Sequence, residues 1–348
     1  MAHARSVENL GDLPASRDAP EAVRCAVVGL GRIGSTLEED RLREKPCTHA
    51  GAIAANEQCR LIAGCDRDGA ARDAFRERYG VPVFAEVREM LRAHPPDLLC
   101  IATYPESHRQ MVREAARAAV PVAVCEKPLA HTLRAGRAIA RRHARGRITV
   151  VVNHERRYSQ DYMDARRIVE EARYGRLLSV RGTLYFGRSA RHDRVLLHDG
   201  THLIDIIAYL TGDAVRPRGS FGRLRSARSS AFLWGRAGSV PVVVDVGAER
   251  DHLVFEVDLS FERGRVTVGN GVYRVEESAE SGFYEGYRSL ADTGARRQER
   301  TGYFSNMIAD AVRCVRDPQA EPLSSARDGL AALRFIRTVR RPLRRLFW

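Results

Sequence analysis

Apolar and polar positions follow two different rhythms along this chain, and the rhythm changes near residue 148. Before that point, short unbroken apolar runs at 23–28, 61–65, 98–102 and 122–125 are separated by stretches of helical period at 70–79 and 107–119. Unbroken apolar runs are strands buried on both faces, and helices between them predict a parallel, doubly wound sheet. After a further run at 148–152, a helix is predicted over 161–171, followed by strand-like runs that include 178–186, 242–246 and 253–261. In the last of these, Leu253, Phe255, Val257, Leu259 and Phe261 recur with a period of two, so one face is buried. This second part therefore reads as an α+β domain whose largely antiparallel open sheet carries helices on one side. Two helical patterns close the chain at 304–316 and 325–340. Ser325 and Asp328 open the second at the spacing of a capping box, with Asp in place of Glu.

A length of 348 residues is enough for two cores, and 44% apolar with 29% charged residues is an ordinary globular composition. The expected organisation is a disordered arm over 1–21, a first domain over 22–147, a second over 148–340 and a basic tail over 341–348. The net charge of +13 comes from arginines spread along the whole length. No basic run interleaves with aromatics, so nucleic acid is not an expected partner. The cluster from Arg340 to Trp348 reads as a solvated or subunit-contacting tail. Residues 1–20 have no signal-peptide core, and no stretch approaches the ~20 apolar residues that span a bilayer. The seven cysteines are odd in number and form no Cys-x-x-Cys pair; Cys25, Cys65, Cys100 and Cys125 lie in apolar runs as reduced thiols. A cytoplasmic location is expected.

The first apolar run leads straight into Gly29-x-Gly31-x-x-Gly34. With a strand before it and a helix expected after it, this is the spacing of a Rossmann dinucleotide turn, where glycines let backbone amides approach a pyrophosphate. Arg32 and Ile33 lie within the turn. Asp66, at the end of the second run, is placed to accept hydrogen bonds from the adenosine ribose, which favours NAD over NADP. Its neighbour Arg67 offers a guanidinium that can hold a phosphate. The distance from the glycines to Asp66 exceeds the usual ~20 residues. The excess sits in the charged segment 37–48, read as a solvated surface insertion.

Arginine carries almost every positive charge, and the only two lysines are Lys45 and Lys127, each within Glu-Lys-Pro. A lysine ammonium can be tuned to release its proton near neutral pH, whereas a guanidinium cannot. Lys127, which follows the fourth apolar run, is the candidate for chemistry; Lys45 reads as a surface charge.

These elements together carry a resemblance. The glycine turn, Cys100-Ile101-Ala102-Thr103-Tyr104-Pro105-Glu106-Ser107-His108, Cys125-Glu126-Lys127-Pro128-Leu129-Ala130 and Asp199-Gly200-Thr201-His202-Leu203-Ile204-Asp205 resemble the glucose–fructose oxidoreductase/inositol dehydrogenase (Gfo/Idh/MocA) family over residues 22–340. The resemblance implies a Rossmann domain and an α/β domain whose open sheet joins subunits into a homodimer or homotetramer. It also implies NAD(P)-dependent hydride transfer at a secondary alcohol or ketone of a sugar, cyclitol or related polyol. By the same resemblance Lys127 hydrogen-bonds the reacting oxygen, His202 accepts the proton, Glu126 and Pro128 shape the turn beside the nicotinamide, and Thr103 and His108 lie in a cofactor-lining loop. A cis bond before Pro128 fits the turn.

One position departs from the family pattern: His198 stands where an Asp is usual, and Asp199 is one residue closer to His202. Either residue is a candidate to tune His202. His198, His202, Asp205 and Tyr209 recur at helical spacing as a polar stripe free of arginine, read as lining the site. Two histidines at i and i+4 can ligate a metal, but no further ligand set accompanies them, so no metal is expected. Asn153, His154, Arg156, Arg157 and Tyr158, where the second domain begins, are read as lining the substrate cleft, with Asn153, Arg156, Arg157 and Tyr158 as candidate substrate contacts. If both arginines face the cleft, an anionic substrate follows. Two other functions share these motifs: a non-catalytic dinucleotide-binding sensor or scaffold, and a hydrolase or lyase that uses NAD transiently.

Overall fold

The computed structural model describes residues 21–186 and 191–339. The expected N-terminal arm and basic tail lie essentially outside the described residues. Six strands, β1 (Val23–Val28), β2 (Cys59–Cys65), β3 (Val83–Phe84), β4 (Leu98–Ile101), β5 (Val122–Cys125) and β6 (Thr149–Val152), form a parallel sheet in the order β3-β2-β1-β4-β5-β6. The order reverses between β1 and β4, which opens a crevice at the carboxyl ends of these strands. The crossovers carry the helices α1 (His49–Ala54), α2 (Gly69–Tyr79), α3 (Val87–Ala93), α4 (His108–Arg117) and α5 (Leu133–Ala144). β4, β5 and the last three residues of β6 are wholly buried, as their unbroken apolar runs require.

The second sheet has eight strands: β7 (Leu177–Phe186), β8 (Val215–Phe221), β9 (Ser230–Ala237), β10 (Val240–Gly247), β11 (Leu253–Phe261), β12 (Gly264–Gly269), β13 (Val272–Glu280) and β14 (Arg288–Asp292). Their order is β14-β13-β12-β11-β7-β10-β9-β8, antiparallel throughout except for the parallel pair β7–β10. One face is covered by α6 (Gln160–Glu170), α7 (His192–His198) and α8 (Gly200–Thr211). Gly182 of β7 admits α8 closely, because a Cβ there would sit 3.1 Å from the side chains of Leu203 and Ile207.

The division between domains differs from the expected one. β6 belongs to the first sheet, so that sheet runs to Val152. After the second sheet the chain returns: α9 (Tyr303–Arg316) buries Phe304, Met307, Ile308 and Ala311 in the same core as Val23, Cys25 and Val27. α10 (Ala326–Val339) packs Leu330 and Leu333 near Gly136 of α5. The capping box at its start is formed, with Asp328 accepting from the Ser325 backbone N–H at 2.8 Å and its hydroxyl at 2.7 Å. Among the described residues no helix is long and apolar enough to cross a membrane.

Candidate active site

At the end of β1 the chain turns at Gly29 with φ of 90°. A Cβ there would lie 2.6 Å from the Ala102 carbonyl, and one on Gly34 would lie 1.9 Å from the Gly29 oxygen. A Cβ on Gly31 would meet nothing within 4 Å. The outer glycines thus let the turn close on itself, while the middle one leaves its crest open to a pyrophosphate. Asp66, at the end of β2, accepts from the Leu30 N–H at 2.8 Å and from the Asp68 N–H at 3.0 Å. This holds the carboxylate against the turn with lone pairs to spare for ribose hydroxyls. Arg32 and Arg67 are exposed and Ile33 is half-buried beside this cradle. These residues fit a dinucleotide.

The expected helix does not follow the turn directly. A 3-10 turn, Thr36–Glu39, leads into the inserted segment, and α1 begins only at His49. The segment lies at the surface, with Glu39, Arg41, Leu42, Arg43 and Lys45 exposed, yet three anchors hold it. Glu38 accepts from the Thr48 hydroxyl at 2.7 Å and the Cys47 N–H at 3.1 Å. Lys45 donates to the Asp40 carbonyl at 2.6 Å. Glu44 reaches the start of α9, accepting from the Gly302 N–H at 2.6 Å and the Thr301 hydroxyl at 2.8 Å. The chain then rejoins the glycine turn through bonds from the His49 and Ala50 N–H groups to the Ile33 and Gly34 carbonyls at 3.1 and 3.0 Å.

This return delivers His49 to Glu126. Its Nε2 lies 2.8 Å from Glu126 Oε1, to which Asn153 also donates at 2.6 Å. The other Glu126 oxygen accepts from the Lys127 N–H at 3.2 Å. Burial opposes charge on both groups, yet the Glu126 carboxyl is held below its ordinary value, chiefly by His49. The Cys100 sulfur and Glu126 lift His49 to about 10. A buried ion pair therefore fixes the turn that carries Lys127, and the bond before Pro128 is cis. Asn153 is 1% exposed; its amide N–H supports Glu126, while its Oδ1 is buried without a partner. His108 is sealed from the cleft, at 0% exposure. Its ring nitrogens lie 2.9 Å from the Thr103 carbonyl and 3.3 Å from the Leu129 carbonyl, tying the Thr103 loop to the Lys127 turn without lining the cofactor site.

The Lys127 side chain points at the break between α7 and α8, with Nζ 3.4 Å from the His198 carbonyl and 3.7 Å from Asp199 Oδ1. His198 ends α7 and its side chain is exposed, so the predicted four-residue stripe is split between two helices. Among the described residues the Asp199 carboxylate pairs with Lys127 and its carbonyl accepts from the His202 N–H at 3.1 Å, but no side-chain hydrogen bond or ion pair joins Asp199 or the His198 ring to the His202 ring. The neighbour of His202 is instead His154, with ring centroids 6.0 Å apart. His202 is 6% exposed, and its Nδ1 is buried without a partner. Burial first, then Lys127, Arg156 and His154, hold its imidazole well below its ordinary pKa, which keeps it neutral and able to accept a proton.

Behind His202, Asp205 is 2% exposed and binds His154 Nδ1 at 3.0 Å. It also takes Arg157 as a two-pronged pair at 2.7 and 2.8 Å. Despite burial, Arg157 and the His154 ring hold the Asp205 carboxyl down at about 2. Arg157 also donates to the Leu323 carbonyl at 2.8 Å and lies 3.2 Å from Asp328. Each of its three nitrogens bonds within the fold, so the structure places it as a support of the site rather than as a substrate contact. Tyr158 is not one either: it is 1% exposed and donates to Asp310 at 3.0 Å on the α9 side. Arg156 alone of this group keeps a free guanidinium, stacked 3.6 Å over the Phe255 ring.

Sequence reasoning placed His154 at the cleft, and it missed His49 and Tyr162. His49 is separated from the glycine turn by the insertion, and no periodicity announces Tyr162. Among the described residues no group of three metal-ligating side chains is assembled.

Residues 23–154 match the family described as GFO_IDH_MocA, oxidoreductase family, NAD-binding Rossmann fold. Over 177 residues the chain is 30% identical to D-apiose dehydrogenase of Paraburkholderia graminis, covering 48% of this chain and 47% of that protein. Over 194 residues it is 29% identical to inositol 2-dehydrogenase 2 of Saccharopolyspora erythraea, covering 54% of each. The matched region thus spans about half the length of these relatives. Among solved structures, GenD2 from gentamicin A biosynthesis in complex with NAD superposes with a TM-score of 0.72 at 19% identity, covering 95% of this chain and 97% of that one. That likeness extends the shared fold across both domains.

Proposed function

We propose that this chain, whose residues 23–154 match the Gfo/Idh/MocA family of oxidoreductases, is an NAD(P)-dependent dehydrogenase acting on a secondary alcohol or ketone of a sugar, cyclitol or related polyol. The observation that carries this reading is the meeting of Lys127 and His202 beside the glycine cradle, one a cation and the other a histidine kept neutral by burial. Gly29, Gly31, Gly34 and Asp66 would hold a dinucleotide, which when bound would supply the hydride acceptor or donor. Lys127, steadied by Asp199, hydrogen-bonds the substrate oxygen and stabilises negative charge as it develops. Neutral His202 takes the hydroxyl proton during oxidation and gives it back during reduction. The Glu126–His49 pair holds the Lys127 turn in place while this occurs. Asp66 beside the ribose position supports NAD over NADP. Sugar and cyclitol substrates are supported by the dehydrogenases to which the first half of the chain is similar.

We also read the second sheet as a self-association surface for a homodimer or homotetramer. Phe232 and Trp234 of β9 pair with Phe221 and Gly219 of β8, and Trp234 pairs with Val243 of β10, so their side chains share the uncovered face. Phe221 is 72% exposed and Trp234 46%, and such apolar clusters mark protein contacts.

The test is fluorescence titration with NAD(H) and NADP(H), then a screen of sugars, cyclitols and keto-sugars at the nicotinamide absorbance band. Lys127→Ala is expected to bind cofactor normally and to lose on the order of 10²–10⁴-fold in kcat. Tight binding of cofactor with no net redox change across the panel would reject the dehydrogenase reading.

A further inference from the structure

Adjacent arginines at the foot of the second domain behave in opposite ways. Arg157 spends its charge on Asp205 and Asp328. Arg156 has no carboxylate within salt-bridge distance among the described residues, and its Nε is buried with no partner. Its planar group lies 3.6 Å over Phe255, a stack that orients the guanidinium without neutralising it. Three further buried polar atoms without partners share this neighbourhood: the Tyr162 hydroxyl, His154 Nε2 and His202 Nδ1. Their residues are 3%, 1% and 6% exposed. The charge of Arg156 is felt at both His202 and Tyr162, which ties the stacked guanidinium to the proposed reaction centre.

Buried polar groups in folded proteins are nearly always bonded, and a cation shielded from water calls for a counter-charge. Among the described residues no carboxylate lies within salt-bridge distance of Arg156: Glu155, Asp161 and Glu256 act on the Tyr162 side without pairing with Arg156, and Asp199 is engaged by Lys127 at 3.7 Å. A neutral polyol filling the cleft would strip water from Arg156 and return no charge. A carboxylate would take the fork through two parallel N–H···O bonds.

We propose that Arg156 is the specificity residue of this site and that the substrate is a polyol acid, such as a uronate or aldonate, whose carboxylate it binds. This rests on the dehydrogenase reading and deepens it. The planar, stacked fork suits a planar carboxylate, and a phosphate ester of the same sugar is the competing oxyanion.

The experiment measures kcat/KM for matched sets of one sugar as the neutral compound, the uronate and the 6-phosphate (D-glucose, D-glucuronate and D-glucose 6-phosphate, and the D-galactose set). It compares the wild type with Arg156→Ala and Arg156→Lys. Wild type is expected to favour a uronate over its neutral partner by at least about tenfold, and Arg156→Ala to erase that ratio through KM, a loss of about 10–100-fold. Arg156→Lys should recover part of it, since an ammonium attracts the charge without the fork. A preference for neutral sugars or phosphates, or a uronate preference that survives in Arg156→Ala, would overturn the proposal. The uronates are also titrated calorimetrically into the NADH-bound protein. Binding that depends on Arg156 without turnover would sink the dehydrogenase reading and leave the carboxylate site standing, whereas no binding of any uronate would sink the site itself.

Discussion

The floor and the wall of the cleft treat charge differently. On the floor and just behind it, each full charge meets its opposite: His49 with Glu126, and Arg157 with Asp205 and Asp328. On the wall, Arg156 has no carboxylate within salt-bridge distance among the described residues, His202 is held neutral, and Tyr162 and His154 each keep an unpartnered polar atom. Paired charges hold a shape, because removing one partner strands the other in a poor solvent. Unpaired groups lower stability in the free protein and suit a ligand that brings the missing partner.

The largest expected effect separates the two neighbouring arginines. Arg157→Leu leaves Asp205 buried beside an unfilled space and should cost about 3–5 kcal/mol in denaturant unfolding. Arg156→Leu, which removes a stacked cation bonded to nothing, should cost less than about 1 kcal/mol. Equal losses would abolish the distinction between floor and wall.

Next in size is the dependence of stability on pH, where the two regions should respond in opposite directions. His49 is raised to about 10 from 6.5, so its contribution is complete below pH 6.5 and is lost as pH rises through 10. His202 is depressed from 6.5. The unfolded chain therefore binds a proton that the native state refuses, and stability drops as pH falls below 6.5. Each limb should have a slope of up to about 1.4 kcal/mol per pH unit. Melting curves from pH 5 to 10 should show His49→Gln flattening only the alkaline limb and His202→Gln only the acid one. If either substitution flattened the other limb, the assignment would be reversed.

The smallest effect sharpens the contrast. Tyr162→Phe removes a buried hydroxyl that has no partner, so the ligand-free protein should be unchanged or up to about 1 kcal/mol more stable. A clear loss of stability would mean that this hydroxyl is bonded in solution.

Much of the fold was legible in the residues because it depends on local periodicity. The run Leu253 to Phe261 became β11, with Phe255, Val257, Leu259 and Phe261 buried as predicted and Leu253 exposed at the strand's start, and the glycine spacing marked the turn after β1. The stripe through His198 was misread because a period assumes one continuous helix, and the chain breaks at Asp199. The insertion was legible as a surface segment but its anchoring was not, because its partners Thr301 and Gly302 lie more than 250 residues away in sequence.

The sequence by itself therefore determined the two sheets, the cradle and the candidacy of Lys127 and His202, all of which follow from spacing and residue type. Only the tertiary structure decided which of two adjacent arginines is spent on the fold and which is free, and which histidine pairs with Glu126. The physical reason is that a charge is paired or unpaired according to what lies within about 4 Å of it, and here those neighbours, such as Asp205 and Asp328 for Arg157, come from distant parts of the chain.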